Sequence, residues 1–359
     1  MKGHSVAAPL LSTRWAKDIT WAAALLALTV QACGTEETLM EKAKQFFKPL
    51  LQDMATAEFP TLAPRVELGK KLFFDPRLSA DGTVACATCH RPALYGTDGL
   101  PKSIGVEDRV NARNSPTVLN AALQFKAHWI GDRANVEEQA MKSLLGHASF
   151  GNPDNAAVIR KIKALPGYEE AFAQAFPNEK EPVQPESWGK AIGAYERTLV
   201  TPSLFDASLE GDPKALTPQA QAGLKLFIDV GCVSCHNGVA IGGATFQKFG
   251  VVGDYWKETG SQAIDEGRYQ ETQDPADKYV FKVPSLRNVS MTPPYFHDGS
   301  VATLPHAVRV MAKVQLGKTL TEGQVHDVVA FLQSLTGSVP KEFATEPVLA
   351  PQAFGATQP

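Results

Sequence analysis

The chain is poor in net charge, in strand signals and in sulfur. Its 35 Lys and Arg nearly balance 38 Asp and Glu, for a net charge of −3. That leaves no basic excess for a nucleic-acid partner. The apolar stretch Ile19–Val30 is too short to span a bilayer comfortably. Period-2 alternation is scarce, with one short strand expected within Phe246–Tyr255, so the chain reads as mainly α-helical. Only five cysteines and six methionines occur in 359 residues, so sulfur chemistry is confined to a few positions.

Four of the five cysteines fall into two copies of one motif: Cys86-Ala87-Thr88-Cys89-His90 and Cys232-Val233-Ser234-Cys235-His236. C-x-x-C-H is the attachment signature of a c-type haem. Two thiols three positions apart each add to one porphyrin vinyl group, and the next residue, histidine, reaches the iron. Zinc held by two C-x-x-C pairs is the competing reading, and it leaves both adjacent histidines unexplained. The motifs thus imply two covalent haems, on Cys86, Cys89 and His90 and on Cys232, Cys235 and His236.

Residues 1–33 have the character of an export signal, with Lys2, Arg14 and Lys17 ahead of or flanking the apolar stretch. Val30-Gln31-Ala32-Cys33-Gly34 resembles a lipoprotein cleavage site, although Gln31 is unusual there. Either Cys33 becomes lipidated and tethers the protein to the membrane, or cleavage is ordinary and Cys33 is incidental. Both readings place the protein in the periplasm.

Residues 34–60 are read as a spacer, with Glu41–Met54 an amphipathic helix or part of that spacer. Val66–Phe74 has helical periodicity and precedes the first motif. Ala220–Ile228, with Thr217 as N-cap and Pro218 at the first helical position, precedes the second. Leu68-Gly69-Lys70-Lys71-Leu72-Phe73-Phe74 and Ala222-Gly223-Leu224-Lys225-Leu226-Phe227-Ile228 align, so the chain reads as two related domains in tandem. Closing helices are expected over Pro185–Leu199 and Thr321–Leu335, and Asp206–Leu216 is read as a linker. The resulting division is 61–205, 206–337 and a tail at 338–359. The fold expected is two tandem class I cytochrome c-like domains, each around one haem.

What closes the second axial position of each iron decides its chemistry. Met1, Met40 and Met54 precede the motifs, which leaves Met141, Met291 and Met311. Met311 lies on a helix expected after Pro305; spacing alone leaves it between ligand and core packing.

The order of CATCH (86–90), RNSPTVLNA (113–121), a tryptophan segment at Trp129, CVSCH (232–236) and VPSLRNVSMTPPYFHDGSVATL (283–304) resembles the bacterial di-haem cytochrome c peroxidases. Their relatives include the enzyme that matures methylamine dehydrogenase. The likeness runs from about Leu62 to Gly337. It implies a peroxidatic first haem and an electron-accepting second haem closed by Met311. In the maturation enzyme a tyrosine takes that ligand position, so Met311 favours the peroxidase branch. Trp129 corresponds to the tryptophan lying between the haems. A calcium ion is implied at Asn114, Thr292 and Pro294, and Gln139 matches a distal-pocket glutamine.

Two departures from the family accompany these matches. The loop Ser103–Arg113 has no histidine to close the first iron, and Ser149 stands where the family places a distal glutamate. His147 is the nearby proton-shuttle candidate. The resemblance implies hydrogen peroxide as substrate, a small cytochrome c or cupredoxin as donor, and a homodimer as a common assembly. Two alternatives remain: a di-haem oxidase that modifies Trp or Tyr of a partner protein, and a di-haem electron carrier that is not an enzyme.

Overall fold

Each half of the molecule is built on two helices that meet at a glycine. The structure, a computed structural model, describes residues 37–351, so the expected export signal and Cys33 lie outside the described residues. In the first half the helix Ala63–Phe74, with proline in its first turn, packs on the helix Pro185–Glu196. Gly69 sits so close to that partner that a Cβ would lie 1.9 Å from the Ala191 carbonyl oxygen and 2.9 Å from Tyr195 Cβ. In the second half Pro218–Asp229 packs on Glu322–Gln333. There a Cβ on Gly223 would lie 1.8 Å from the Asp327 carbonyl oxygen and 3.0 Å from Phe331 Cβ. The aligned glycines therefore do the same work: only a residue without a side chain lets the two backbones approach so closely.

The helix ends follow the expected local chemistry. The Thr217 hydroxyl accepts from Ala220 N at 3.1 Å, and Thr321 with Gln324 forms a capping box. Leu68, Leu72, Phe73, Phe172, Trp188 and Tyr195 belong to the first core. Phe47, Phe205, Leu224, Phe227 and Phe331 belong to the second. Burying each such side chain contributes roughly 1.5–3 kcal/mol.

Several segments differ from expectation. The spacer is part of the fold: Thr38 caps a helix over Leu39–Phe46, and Phe47 packs edge-on against Phe205 at 5.3 Å. The expected linker is entered by the helix Leu204–Glu210, and Phe205, Leu209 and Leu216 join the second core. Its Asp206 is held by a two-pronged ion pair with the buried Arg287, both contacts at 2.9 Å. The tail carries the helical turn Lys341–Ala344, whose Phe343 is fully buried 5.8 Å from Phe73. The expected strand shortens to Phe246–Lys248 and pairs antiparallel with Val280–Lys282, in register Phe246↔Lys282. Tyr255 instead begins a short helix, Tyr255–Thr259. Among the described residues no helix is long and apolar enough to cross a membrane.

Candidate functional site

Each C-x-x-C-H run forms one tight turn that ends at its histidine. Cys86–Cys89 is a single helical turn, and His90 N donates to the Cys86 carbonyl at 3.0 Å. Cys232–Ser234 is a 3₁₀ turn, and His236 N donates to the Cys232 carbonyl at 3.0 Å. The winding brings both thiols of a pair and the histidine to one locality. None of the four motif cysteines is paired in a disulfide. Among the described residues no three His, Cys, Asp or Glu converge as a metal cluster.

The aligned phenylalanines back the two histidines in the same way. Phe73 lies 6.5 Å from His90 and 5.5 Å from Tyr195. Phe227 lies 6.4 Å from His236 and 5.2 Å from Phe331. Burial lowers both histidine pKa values, His236 to about 4, so both rings are neutral and able to ligate a metal. His90 Nδ1 lies 3.0 Å from the Gly96 carbonyl. That carbonyl can only accept, which assigns the proton to Nδ1 and leaves Nε2 with its lone pair. His236 Nδ1 is buried without a hydrogen bond, beside the backbone of Ile241 and Pro284. Burial also pushes the thiols up, Cys86 well above its usual value and Cys89 and Cys232 to about 11.

A cavity of about 250 Å³ opens at the second motif. Cys232, Cys235 and His236 line it, with Met311 from the helix Leu304–Leu316 and Leu332 from the closing helix. Two thiols, a neutral buried imidazole and a thioether in a largely apolar wall fit a covalent c-type haem. The donor set at Cys86, Cys89 and His90 fits a second haem, held from the histidine side.

Trp129 lines the same cavity, as do Asn114, Thr292 and Pro294. Its indole Nε1 donates to the Asn114 carbonyl at 2.9 Å, and its own carbonyl accepts from Lys282 N at 2.7 Å. Asn114 Nδ2 donates to the Leu100 carbonyl at 2.8 Å. His297 is buried there, stacked 4.3 Å from Phe281. His128 pairs with Asp132 at 3.0 Å, while His306 and His326 are exposed.

Gln139, His147 and Ser149 do not line this cavity. Gln139 is half-buried on the helix Val136–Ser143. The His147 side chain is exposed, and its carbonyl accepts from Arg109. The Ser149 hydroxyl donates to the Ser143 and Gly146 carbonyls, at 2.8 and 3.1 Å, closing the turn after that helix. The loop without histidine is tied to this turn: Val106 N donates to the Ser149 carbonyl and Asn111 Nδ2 to the Ala148 carbonyl. Val106 is fully buried at the loop's centre.

Sequence reasoning missed two residues. Glu196 is buried, and burial with the Glu137 charge raises its pKa to about 8 against the lowering effect of Arg197. Setting the closing helices side by side places it opposite Leu332. Lys282, directly before the VPSLRN run, is a buried amine in the cavity wall.

Comparison with known proteins bears on the whole chain. Residues 63–214 match the family model described as di-haem cytochrome c peroxidase, and residues 220–336 match that for cytochrome c. The cytochrome c551 peroxidase of Pseudomonas aeruginosa is 40% identical over 310 residues, covering 85% of this chain and 88% of that protein. The cytochrome c551 peroxidase of Nitrosomonas europaea is 41% identical over 282 residues, covering 78% and 82%. A solved MauG-like protein associated with microbial copper homeostasis superposes with a TM-score of 0.73 at 28% identity, covering 84% of this chain and 97% of that one.

Proposed function

Since the chain belongs to the di-haem cytochrome c peroxidase family, we propose that it reduces hydrogen peroxide to water with electrons drawn from a small redox protein. The balance is one peroxide, two electrons and two protons to two waters. The donor, a cytochrome c or a cupredoxin, is oxidised in two one-electron steps. The observation that carries this reading is inequality between two otherwise parallel sites: a methionine shares the cavity of His236, whereas the loop near the first motif offers no histidine.

When bound, the haems supply the redox and bond-breaking chemistry. Cys86 and Cys89 hold the first and Cys232 and Cys235 the second. His90, with its proton fixed on Nδ1 by the Gly96 carbonyl, presents Nε2 as ligand. His236 and Met311, which line one cavity, would hold the second haem, and a site with both ligands taken would exclude peroxide and suit electron acceptance. Trp129, pinned at its indole nitrogen and its carbonyl, is held in the wall between the two halves to assist electron passage. In the first half Gln139 orients peroxide by hydrogen bonding. Proton delivery falls to His147 or to water near Ser149, because Ser149 cannot take the role of a carboxylate. We assign the peroxidatic role to residues 61–205 and the electron-accepting role to 206–337. A calcium ion at Asn114, Thr292 and Pro294 would join the halves. Export to the periplasm, by a signal over 1–33 with lipid on Cys33, completes the reading, and a homodimer is the expected assembly.

Spectroscopy of the resting and half-reduced haem-loaded protein tests it, followed by rapid mixing with peroxide. Two covalent haems, one high-spin and one methionine-ligated, with turnover on a reduced donor, are expected. Two equally capped low-spin haems without turnover would instead establish an electron carrier. The protein-modifying alternative is disfavoured by Met311, where that branch places tyrosine.

A further inference from the structure

Two cations are deeply buried in the wall of the cavity at Cys232, Cys235 and His236: Arg287, 1% exposed, and Lys282, 5% exposed. Their situations differ. Arg287 has a carboxylate, since both of its terminal nitrogens bond Asp206 at 2.9 Å and its Nε donates to the Val239 carbonyl at 2.6 Å. Lys282 has none among the described residues. Its amine donates to the side-chain oxygen of Gln124, which is neutral, and among the described residues it forms no ion pair. Burial alone draws its pKa down to about 8. An ammonium removed from water without an anion is costly, and one acceptor leaves two of its three donors to be satisfied. The rest of its environment is held in place: its backbone N donates to the Trp129 carbonyl, and Gln124 packs where a Cβ on Gly243 would come within 2.5 Å of its Cγ.

We propose that Lys282 is an anchor for a porphyrin carboxylate, pairing with a propionate of the haem attached at Cys232 and Cys235. This inference rests on the haem assignment above and names a residue for the cofactor's acidic edge. The bound propionate is the anion the buried amine lacks, and Gln124 keeps the amine aimed into the cavity. Because the same residue bonds Trp129 through its backbone, Lys282 fixes the haem edge relative to the indole. The cationic partner also favours the reduced iron by offsetting the propionate charge, so it raises the potential of that haem.

The test uses the haem-loaded full chain with Lys282→Met and Lys282→Arg. Haem content and the methionine-to-iron charge-transfer band are recorded first, then the midpoint potential of the methionine-ligated haem by spectroelectrochemistry. With Lys282→Met, haem content and the band should persist while the potential falls; Lys282→Arg should restore it toward the parent value. A potential unchanged in Lys282→Met, or as low in Lys282→Arg as in Lys282→Met, overturns the proposal. If Lys282→Met does not accumulate, the Arg variant decides through resonance Raman. A shifted propionate-bending band supports the contact, and an unmoved band overturns it. Absence of the methionine band from the parent protein would be failure of the underlying haem assignment, a result distinct from all of these.

Discussion

The two halves share a scaffold down to single residues and diverge at what that scaffold presents. Gly69 and Gly223 admit the closing helix, Phe73 and Phe227 back the histidine, and Tyr195 and Phe331 complete each stack. One position further along the closing helix the likeness breaks: Glu196 in the first half stands where Leu332 lines the cavity of the second. The second half adds a thioether from Leu304–Leu316, while the first adds a loop stitched to the 147–149 turn. Packing that must hold a porphyrin has been kept in both copies, and the groups that decide what its iron does have diverged. Each half also buries a two-pronged ion pair, Glu137 with Arg197 in the first and Asp206 with Arg287 in the second. Breaking a buried pair costs about 3–5 kcal/mol, so these contacts hold each half to one arrangement.

The largest expected effect removes the inequality itself. Met311→Ala should abolish the methionine-to-iron charge-transfer band completely and leave two sites open on one side. An unchanged spectrum would remove Met311 as ligand and with it the distinction between the halves.

The shared scaffold is tested next. Gly69→Ala and Gly223→Ala each force a methyl into a backbone carbonyl, and each should cost about 3 kcal/mol or more. The loss should be similar in both halves by denaturant unfolding of the haem-loaded protein. A variant of parent stability would mean that its half does not need the close helix contact.

A smaller effect sharpens the contrast at Glu196. Its carboxyl ionises near 4.5 in the unfolded chain and near 8 in the fold. Between those values the unfolded state has released a proton that the fold retains, so stability falls as pH rises through this window. Glu196→Leu, which copies the second half, should flatten that slope and gain about 2–4 kcal/mol at pH 8. Parallel melting curves against pH for parent and variant would show that the carboxyl does not carry the dependence.

The smallest effect concerns His147. Its side chain is exposed, so His147→Ala should change stability by less than about 0.5 kcal/mol. If it shuttles protons, peroxide turnover should fall with binding of the donor unchanged. Unaltered turnover across neutral pH would shift proton delivery to water.

Much of this organisation is legible in the sequence because it depends on local, repeated signals. The motif spacing, Thr217 with Pro218, Thr321, and the aligned glycines each act within a few residues, and the helices form where those signals lie. The short strand pair was only half visible, since Val280–Lys282 draws its identity from pairing with Phe246–Lys248 rather than from its own pattern. Residues 206–216 read as a linker because they are polar and hold Gly and Pro, yet Asp206 is buried against an arginine 81 positions away. Glu196 and Lys282 escaped for a related reason. A charged residue looks solvated until the tertiary fold removes its water, and nothing adjacent in the chain announces that.

Phe343 lies only a few residues before the end of the described chain, yet it fills the core that the first motif depends on. The first half thus borrows part of its core from a segment that follows the second half, so the chain must double back across its own length to complete it. Removing Phe343 would therefore loosen the first half rather than the second, although it lies beyond both in the chain.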